Sequence, residues 1–320
     1  MKFFVAGGSG FIGRALCRAL VDRGDKVVVL SRKPELDIPG VEVFLGDILD
    51  WGDELPSQFE NIDVIVNCMG EIRTEKNMYE LHVNGTRRLI NSFLQNSRKN
   101  GKSTRFIQLS SVGAYGMASK SNGREIEVNE NFTPFPVGQY EVSKTVADEL
   151  VISYCAADPA MTFTILRPTN VVGQGMANQS FYQLGNMVRK GAFFYIGSSL
   201  SVANYIHVED VVRALVLCAT DERAKNKIYI VSNDCSLREV VCSMATLYKV
   251  RFPRLVFPEW LARLSTALFA PIPKFPLTKG RVDALVSKVT YSGEFIKTDL
   301  GFVPIFDIPS SVPSILAYQQ

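Results

Sequence analysis

Short apolar segments alternate with segments of helical periodicity along most of this 320-residue chain. The strand candidates are rich in Val, Ile and Phe and lie at 2–6, 26–30, 41–45, 62–66, 104–110, 162–167 and 227–231. Amphipathic segments stand between most of them, at 11–22, 78–98, 139–157 and 208–219. Strands that alternate with helices build βαβ units, and strands that are apolar on both faces need helices on both sides. The pattern therefore predicts an α/β fold with a doubly wound parallel sheet.

Two stretches, residues 168–204 and 233–320, break this alternation with scattered Gly, Pro and aromatic residues. Ligands of doubly wound sheets bind beyond the carboxyl ends of the strands, so an irregular lobe placed there can close over them. We predict a sheet domain made of residues 1–167 plus 205–232. The two irregular stretches then form a smaller, mainly C-terminal, substrate-binding lobe.

Composition argues against several classes of protein. The 35 Lys and Arg residues nearly balance the 32 Asp and Glu residues, and no block of like charge suggests a nucleic-acid partner. Six cysteines without a C-x-x-C pair fit a reducing compartment, and two histidines offer little for a metal site. The N-terminus lacks the apolar core of a signal peptide, and no stretch approaches the roughly 18 apolar residues of a membrane span. We expect a cytoplasmic protein without a metal site or a membrane span.

A glycine-rich loop, Gly7-Gly8-Ser9-Gly10-Phe11-Ile12-Gly13, joins the first strand candidate to the first helix candidate. Glycine is needed where such a turn is tight and where backbone approaches a pyrophosphate, and the helix N-terminus offers free N–H groups to the anion. Strand, loop and helix in this order are typical of Rossmann-type dinucleotide sites. The predicted cofactor contacts in this loop are Gly7, Ser9, Gly10, Phe11, Ile12 and Gly13.

The end of the second strand carries Ser31, Arg32 and Lys33, about where the adenosine ribose of a dinucleotide is recognised. An acidic residue there would accept a hydrogen bond from the 2′-hydroxyl of NAD, whereas a guanidinium pairs with the 2′-phosphate of NADP. Arg32 therefore favours NADP(H). NAD stays the alternative, because Arg32 could instead stack on the adenine.

A second group of residues has the chemistry of proton transfer. Ser110 and Ser111 follow the fifth strand candidate, and Tyr140 and Lys144 lie four residues apart on one helix candidate. A phenol titrates near pH ~10, so a neighbouring cation is needed to favour its anion at neutral pH. We predict that Ser111 holds a substrate oxygen, that Tyr140 is the general acid/base and that Lys144 is the cation.

Further short motifs follow in a fixed order along the chain. They are Gly46-Asp47-Ile48, Asn67-Cys68-Met69-Gly70, His82-Val83-Asn84-Gly85-Thr86, Ser110-Ser111-Val112-Gly113-Ala114-Tyr115-Gly116, Leu166-Arg167-Pro168-Thr169-Asn170-Val171-Val172-Gly173 and Tyr205-Ile206-His207-Val208-Glu209-Asp210. With the glycine loop and the Tyr140/Lys144 pair, they resemble the extended short-chain dehydrogenase/reductase family, of the NAD(P)-dependent epimerase/dehydratase type. The resemblance runs over nearly the whole length and is greatest to the branch that modifies nucleotide sugars.

The resemblance implies roles for further residues. It places Asp47 and Ile48 beside the adenine and Lys144 on the nicotinamide ribose, where its charge lowers the pKa of Tyr140. It also implies that Pro168, Asn170 and Val171 line the nicotinamide pocket. Outside the glycine loop, the implied cofactor contacts are Ser31, Arg32, Asp47, Ile48, Cys68, Met69, Gly70, Asn84, Ser110, Tyr140, Lys144, Pro168, Asn170 and Val171.

The resemblance leaves the type of reaction open. Val112 and Gly113 stand where a sugar 4,6-dehydratase carries Asp-Glu, so dehydration is disfavoured. Epimerases of this family usually keep NAD bound, whereas Arg32 favours a reductase that draws on NADPH. The ending Asp299-Leu300-Gly301-Phe302-Val303-Pro304 is instead similar to sugar-nucleotide epimerases.

Two positions bear on the substrate and point in opposite directions. Arg281 lies about where the nucleotide-sugar branch binds a diphosphate, and Ser111 and Asn170 complete the predicted substrate contacts. The other Arg of that branch immediately precedes Asp-Tyr-Ile-His-Val, and this chain has Ala203-Asn204 in place of that Arg-Asp pair. The first hypothesis is nevertheless C4 ketoreduction or epimerisation of a nucleotide sugar.

An apolar stripe in the lobe supports a second hypothesis. The stripe contains Phe252, Phe257, Trp260, Leu261, Leu264 and Leu268, three of them four residues apart. Such a stripe is most often core, but it can also wall an apolar pocket or touch a membrane, which suits a reductase of a steroid-like or flavonoid-like ketone. A third hypothesis, a catalytically silent NADP-binding module, conflicts with the intact Ser, Tyr and Lys. By analogy with the family we expect a homodimer.

Overall fold

The protein is described by a computed structural model that covers residues 1–34, 36–51, 59, 61–116, 125–197, 201–268 and 278–317. Its strands are β1 (Lys2–Ala6), β2 (Lys26–Ser31), β3 (Val41–Leu45), β4 (Val64–Asn67), β5 (Thr104–Leu109), β6 (Ile126–Val128), β7 (Met161–Pro168), β8 (Asn170–Val172), β9 (Tyr195–Ile196), β10 (Val202–Ala203), β11 (Tyr205–His207), β12 (Lys227–Val231), β13 (Cys235–Ser236), β14 (Val256–Phe257) and β15 (Val289–Tyr291). Its α-helices are α1 (Phe11–Asp22), α2 (Glu75–Tyr79), α3 (Gly85–Asn100), α4 (Gln139–Ala157), α5 (Ser180–Arg189), α6 (Val208–Thr220), α7 (Leu237–Leu247), α8 (Glu259–Leu268), α9 (Lys279–Val286), α10 (Glu294–Leu300) and α11 (Ile308–Leu316).

The central sheet of the described chain has seven strands in the order β3-β2-β1-β4-β5-β7-β12. Every neighbouring pair in it is parallel. The direction of winding reverses between β1 and β4, so a crevice opens beyond the carboxyl ends of these two strands. The predicted doubly wound parallel sheet is confirmed.

Both faces of this sheet are buried, because successive side chains of each strand point to opposite sides. Phe3 and Val5 pack with α1 and α6 in one apolar cluster. Phe4 and Ala6, the alternate residues of the same strand, pack with α3 and α4 in another. Each fully buried Phe or Val side chain contributes about 1.5–3 kcal/mol relative to exposure. The strands are held in place from both sides, which fixes where their carboxyl ends meet.

A third apolar cluster lies in the irregular part of the chain and joins α5, α7 and α11. The prediction of a separate lobe fits this cluster, but not every residue of 233–320 belongs to it. Ile296, Leu300 and Phe302 pack instead into the sheet cluster that contains α1 and α6. The division into two domains stays a prediction, and residues 294–302 pack with the sheet.

Within the described residues, no helix is both long and apolar enough to cross a bilayer. The same residues contain no group of three His, Cys, Asp or Glu side chains arranged to hold a metal ion.

Candidate active site

The glycine loop is pressed against the end of β4. A Cβ atom on Gly7 would lie 2.7 Å from the carbonyl carbon of Cys68, and Gly7 also has a φ of +81°. A Cβ atom on Gly13 would lie 2.2 Å from the carbonyl oxygen of Gly7. The N-cap of α1, Gly10, provides no side-chain hydrogen bond, and the first turn has no acidic residue. The backbone N–H groups of this first turn are therefore available to bind an anion, and the pyrophosphate of a dinucleotide fits the backbone of the loop.

A cleft of about 700 Å³ runs from this loop along the outer face of α1. Ser9, Gly10 and Phe11, all predicted cofactor contacts, line it. Arg14 and Arg18 line it too, and the sequence analysis did not identify them. Their spacing of four residues on α1 was the available signal, because it places both guanidinium groups on one helix face.

The adenosine end of the predicted site brings Arg32 close to Asp47. Arg32 is 82% exposed, and its Nη1 lies 3.9 Å from Oδ2 of Asp47. The other carboxylate oxygen of Asp47 accepts a hydrogen bond of 3.0 Å from the N–H of Leu49. Ser31 is buried, and its Oγ accepts from the N–H of Lys33 at 3.0 Å. Arg32 is thus accessible to a ligand, whereas the Ser31 hydroxyl shapes the turn that carries it.

The turn after β4 is held by Asn67. Its amide nitrogen donates to Oγ1 of Thr86 and to Oε1 of Gln108, both at 2.9 Å. Its amide oxygen accepts from the N–H of Met69 at 3.1 Å. These buried bonds fix the backbone of residues 68–70, the predicted cofactor contacts beyond this strand.

Asn84, a further predicted cofactor contact, lies at the end of a π-helical turn, Glu80–Asn84. Its Nδ2 donates to Oε2 of Glu80 at 2.6 Å, and its Oδ1 accepts from Nη1 of Arg87 at 2.6 Å. Both bonds stay within the helical segment. They stabilise this segment, and the cofactor contact of Asn84 stays a prediction.

Helix α4 presents Tyr140, Lys144 and Asp148, spaced four residues apart, towards the carboxyl end of β5. Nζ of Lys144 donates to the carbonyl oxygens of Leu109 at 2.6 Å and Met69 at 3.2 Å. The ammonium therefore bridges the ends of β4 and β5. Burial lowers the pKa of Lys144, and the carboxylate of Asp148 opposes that shift.

The buried carboxylate of Asp148 joins this helix to two strands. Its Oδ2 accepts from Oγ of Ser110 at 2.7 Å and from Nη2 of Arg167 at 3.0 Å. Burial raises the pKa of Asp148, and the guanidinium of Arg167 counteracts the rise. Ser110, predicted as a cofactor contact, is thus occupied in supporting α4.

Tyr140 is a neutral phenol in this environment. Burial raises its pKa to about 12, and the negative charges of Asp148 and Glu141 add to the rise. This differs from the lowered pKa that the resemblance implies. The difference has a physical cause, because burial and both neighbouring carboxylates act in the same direction and raise the pKa of Tyr140.

His82, which the sequence analysis did not assign to the site, lies beside Tyr140. Its Nε2 accepts from the N–H of Glu71 at 2.8 Å, so Nδ1 carries the ring hydrogen and donates to Oγ of Ser143 at 2.8 Å. The Ser143 hydroxyl in turn donates to the carbonyl oxygen of Tyr140 at 3.1 Å. The rings of His82 and Tyr140 meet edge to face, with their centroids 5.5 Å apart. Burial and the charge of Lys144 lower the His82 pKa to about 3, so it stays neutral.

Ser111 caps the short 3₁₀ helix Val112–Tyr115, and its Oγ accepts from the N–H of Gly113 at 3.1 Å. A Cβ atom on Gly113 would lie 2.9 Å from the Glu141 side chain. The loop that carries Ser111 therefore lies directly against the first turn of α4, next to Tyr140. The fold brings together the three residues predicted to be catalytic.

Asn170 begins β8, next to Pro168 at the end of β7. Its backbone N–H and its Nδ2 both donate to the carbonyl oxygen of Asn204, each at 3.1 Å. Nδ2 of Asn204 donates to the carbonyl oxygen of Val289 at 2.8 Å. The nucleotide-sugar branch has its other Arg at the position of Ala203, which is buried here, and the amide of its neighbour Asn204 joins three segments of backbone.

Arg281 lies in the first turn of α9 and is exposed. Its Nη2 donates to Oε1 of Gln183, on α5, at 2.8 Å. The apolar stripe on α8 is exposed too, since Trp260, Leu264 and Leu268 are 66%, 48% and 64% accessible. These three residues therefore do not belong to the apolar core, although an apolar stripe of this kind is most often buried there.

The sequence pattern of the NAD dependent epimerase/dehydratase family matches residues 3–232. This chain belongs to that family. It is an NAD(P)-dependent enzyme of the extended short-chain dehydrogenase/reductase class, as the motifs indicated. A 2-alkyl-3-oxoalkanoate reductase of Stenotrophomonas maltophilia (strain K279a) is 25% identical over 99% of both chains. A dTDP-6-deoxy-L-talose 4-dehydrogenase (NAD(P)(+)) of Kitasatospora kifunensis is 30% identical over 69% of this chain and 70% of its own.

Solved structures of other proteins have the same fold as this chain. MoeE5 in complex with UDP-glucose and NAD has a TM-score of 0.74, with 21% identity over 99% of this chain and 98% of that one. The likeness covers the sheet and the irregular lobe together.

Proposed function

We propose that this enzyme reduces a carbonyl carbon with NADPH, or oxidises the corresponding carbinol, using Tyr140 as the general acid/base. The observation that carries the proposal is the position of Lys144, whose ammonium bridges the carbonyls of Met69 and Leu109 beneath Tyr140. These strand ends adjoin the glycine loop that fits a pyrophosphate. When bound, the nicotinamide supplies or accepts the hydride.

The chain's own groups move the proton. With a pKa raised to about 12, Tyr140 holds its proton at neutral pH and can donate it to a carbonyl oxygen that gains negative charge. In this proposal the Ser111 hydroxyl donates a hydrogen bond to the same oxygen. Lys144 then stabilises the tyrosinate left behind. The protonated phenol is the form of Tyr140 that the reduction uses.

The direct test is NADPH oxidation with 4-keto nucleotide sugars and with hydrophobic ketones. Tyr140→Phe should lower kcat by about 10²–10⁴-fold, because it removes the proton donor. NADPH affinity should stay near that of the wild type, which separates loss of chemistry from loss of fold. If neither substrate panel gives turnover that depends on the phenol, the proposal is wrong.

For the cofactor we propose NADP(H), because Arg32 is the exposed cation at the ribose end of the site. Arg32→Ala should weaken NADPH binding by about tenfold to a hundredfold, the loss expected for a charged hydrogen bond, and leave NADH binding unchanged. Lys33→Ala is the matched control, since it removes the adjacent charge. An unchanged ratio of NADPH to NADH affinity in the Arg32 variant would contradict the assignment.

The first substrate candidate is a nucleotide sugar, reduced or epimerised at C4. Arg281 favours it, because an exposed guanidinium on the irregular lobe can pair with a diphosphate. The name of the Kitasatospora relative also fits a sugar nucleotide. Arg281→Gln should then raise KM for the sugar nucleotide at least tenfold with little change in kcat, while simple ketones are unaffected.

The second candidate is an apolar ketone. It is favoured by Ala203, a buried apolar residue at the position of the missing second Arg. The Stenotrophomonas relative, which matches over 99% of both chains, is named for a 2-alkyl-3-oxoalkanoate. Turnover of hydrophobic ketones that is indifferent to Arg281→Gln would establish this candidate over the first.

A further inference from the structure

Exposed apolar side chains are concentrated on one part of the lobe. Sixteen large apolar side chains are exposed in the described chain, and six of them fall within residues 252–268. They are Phe252, Leu255, Val256, Trp260, Leu264 and Leu268. Single exposed apolar residues are ordinary, whereas a concentration of large ones marks a surface that binds something.

Helix α8 shows why these side chains face outward. Ala262 is fully buried in a small apolar cluster with Val282 and Val286 of α9. Residues of a helix advance by about 100° each, so Trp260 and Leu264 lie about 200° from Ala262, on the opposite face. Leu268 continues that face by another turn. The helix is anchored through its narrow inner side and presents large apolar side chains to the outside.

Three basic residues lie in the same segment as these side chains. Lys249, Arg251 and Arg254 are exposed in the segment that leads into β14 and α8. None of the three has an ion pair with any residue that the structure describes. The acidic residue of the segment, Glu259, is already paired with Arg263 at 2.8 Å, and Arg263 also binds Asp283. The surface therefore has uncompensated positive charge beside its apolar face.

We propose that this surface, hereafter the α8 surface, docks on the face of a membrane that contains anionic lipid. It consists of Lys249, Arg251, Arg254 and the six exposed apolar side chains. Apolar side chains with a flanking Trp enter the boundary between headgroups and acyl chains, and Lys and Arg residues beside them bind anionic headgroups. The docking is peripheral.

Charge favours a membrane over a second copy of the chain. A two-fold contact would place the α8 surface against itself, with Arg251 and Arg254 near their own counterparts. Like charges placed together in an interface oppose association. An anionic bilayer instead complements the cations and accepts the apolar side chains at the same time.

The α8 surface is separate from the proposed chemistry, because it contains none of Ser111, Tyr140 and Lys144. It is nevertheless connected to the irregular lobe, since β14 pairs with β9 and α8 packs against α9. Docking would hold the predicted substrate lobe at the bilayer. The inference does not depend on which substrate the enzyme reduces.

The test is flotation of the full chain with vesicles of phosphatidylcholine alone and with vesicles in which about a third of the lipid is phosphatidylglycerol. We expect binding to the anionic vesicles, weakened by salt. The two tryptophans give a second readout, because Trp51 packs among Phe4, Phe44 and Phe59 while Trp260 is exposed. Emission from Trp260 should shift to shorter wavelength on docking.

Two double variants separate the contributions. Arg251→Gln/Arg254→Gln should lower partitioning about 25-fold at low ionic strength, since each basic residue near the surface contributes about fivefold. Trp260→Ser/Leu264→Ser should lower it more than tenfold and abolish the emission shift. The matched controls are Lys26→Gln/Lys102→Gln, at the amino ends of the strands, and Ile305→Ser, which is 66% exposed outside the α8 surface.

Several results would overturn the proposal. They are no binding of the wild type to anionic vesicles at low salt, equal binding to both vesicle types, or equal losses in the control variants. A fourth is a wild-type dimer in light scattering that Trp260→Ser/Leu264→Ser converts to a monomer, which would assign the surface to a second copy. Circular dichroism and NADPH binding establish that each variant is folded.

Discussion

At the scale of single residues, the most consequential group is a carboxylate that touches no substrate. Asp148 is fully buried beneath the catalytic face of α4, and Arg167 is its buried counter-charge. Removing one partner of such a pair leaves the other charge buried and uncompensated. A substitution of Asp148 should therefore affect both stability and the proposed catalysis, because its negative charge also raises the pKa of Tyr140 and of Lys144.

We predict that Asp148→Asn lowers the free energy of unfolding by about 3–5 kcal/mol, the cost of stranding a buried charge. Urea unfolding at neutral pH measures the change. Glu222→Gln is the control, because Glu222 pairs with the buried Arg105 from an exposed position and its loss should change stability little. Equal effects of the two substitutions would contradict the prediction.

His82 should make stability depend on pH. Its folded pKa is about 3, whereas an unfolded histidine titrates near its ordinary value of 6.5. As pH falls below about 6.5, His82 takes up a proton in the unfolded chain but stays neutral in the folded chain. The free energy of unfolding therefore decreases by up to about 1.4 kcal/mol per pH unit. Full stability from this group is present above that value.

Urea unfolding of wild type and His82→Gln across this acidic range provides the measurement. The variant should show a shallower decline, and His207→Gln should show its own smaller change, because burial also lowers the His207 pKa. A decline that is identical in wild type and His82→Gln would mean that the imidazole is not held neutral.

At the scale of elements, the glycine loop and the helix it opens form one unit. Gly13→Ala would force the Gly7 carbonyl to move, which we expect to cost about 1–3 kcal/mol of stability and to weaken NADPH binding more than tenfold. Thermal unfolding and a fluorescence titration measure both effects. Gly280→Ala is the control, since no atom lies within 4 Å of its added Cβ and it should be neutral or stabilising.

Elements were predictable where a local pattern alone specifies them. The limits of α1 and α4 agree with the predicted segments 11–22 and 139–157, and the apolar positions of α1 follow one helical period. The predicted helix 78–98 instead divides into α2, a π-helical turn and α3. Periodicity could not reveal that turn, because His82 within it is bound to Glu71 and Ser143, contacts distant in sequence.

The residues of the candidate site were predictable from the sequence, but their electrostatic properties were not. Ser111, Tyr140 and Lys144 carry recognisable motifs, and the fold brings their elements together. The direction of the Tyr140 pKa was not predictable, because burial depends on the whole surrounding structure. Periodicity also revealed the α8 stripe without showing that its inner neighbour Ala262, rather than the stripe itself, packs against the lobe.

At the scale of the whole molecule, the C-terminal segment is bound to the central sheet. Asp299, on α10, accepts hydrogen bonds from Lys227 at 2.7 Å and from Tyr229, both on β12. Phe302 is buried in the sheet cluster, and the guanidinium of Arg213 lies 5.4 Å from its ring centre. The sheet and the C-terminal segment should therefore unfold in one transition.

Phe302→Ala should lower the free energy of unfolding by about 3–5 kcal/mol and keep a single transition. Circular dichroism and tryptophan emission should give coincident unfolding curves, because circular dichroism reports from helices throughout the chain and Trp51, packed among aromatic rings, reports from the sheet. Its neighbour Val303 is half exposed, so Val303→Ala should change stability by no more than about 0.5 kcal/mol. Two separate transitions in the wild type would show that the lobe folds on its own.

The buried network of Ser110, Asp148 and Arg167 has a consequence for how such an enzyme diversifies. On the proposed function, the residues that support proton transfer also hold the core, so most replacements there are lost with the fold itself. Gln183 and Arg281, in contrast, meet on the outside of the lobe, where replacement costs the fold little. Descendants of this chain can therefore change what they recognise while inheriting their chemistry intact.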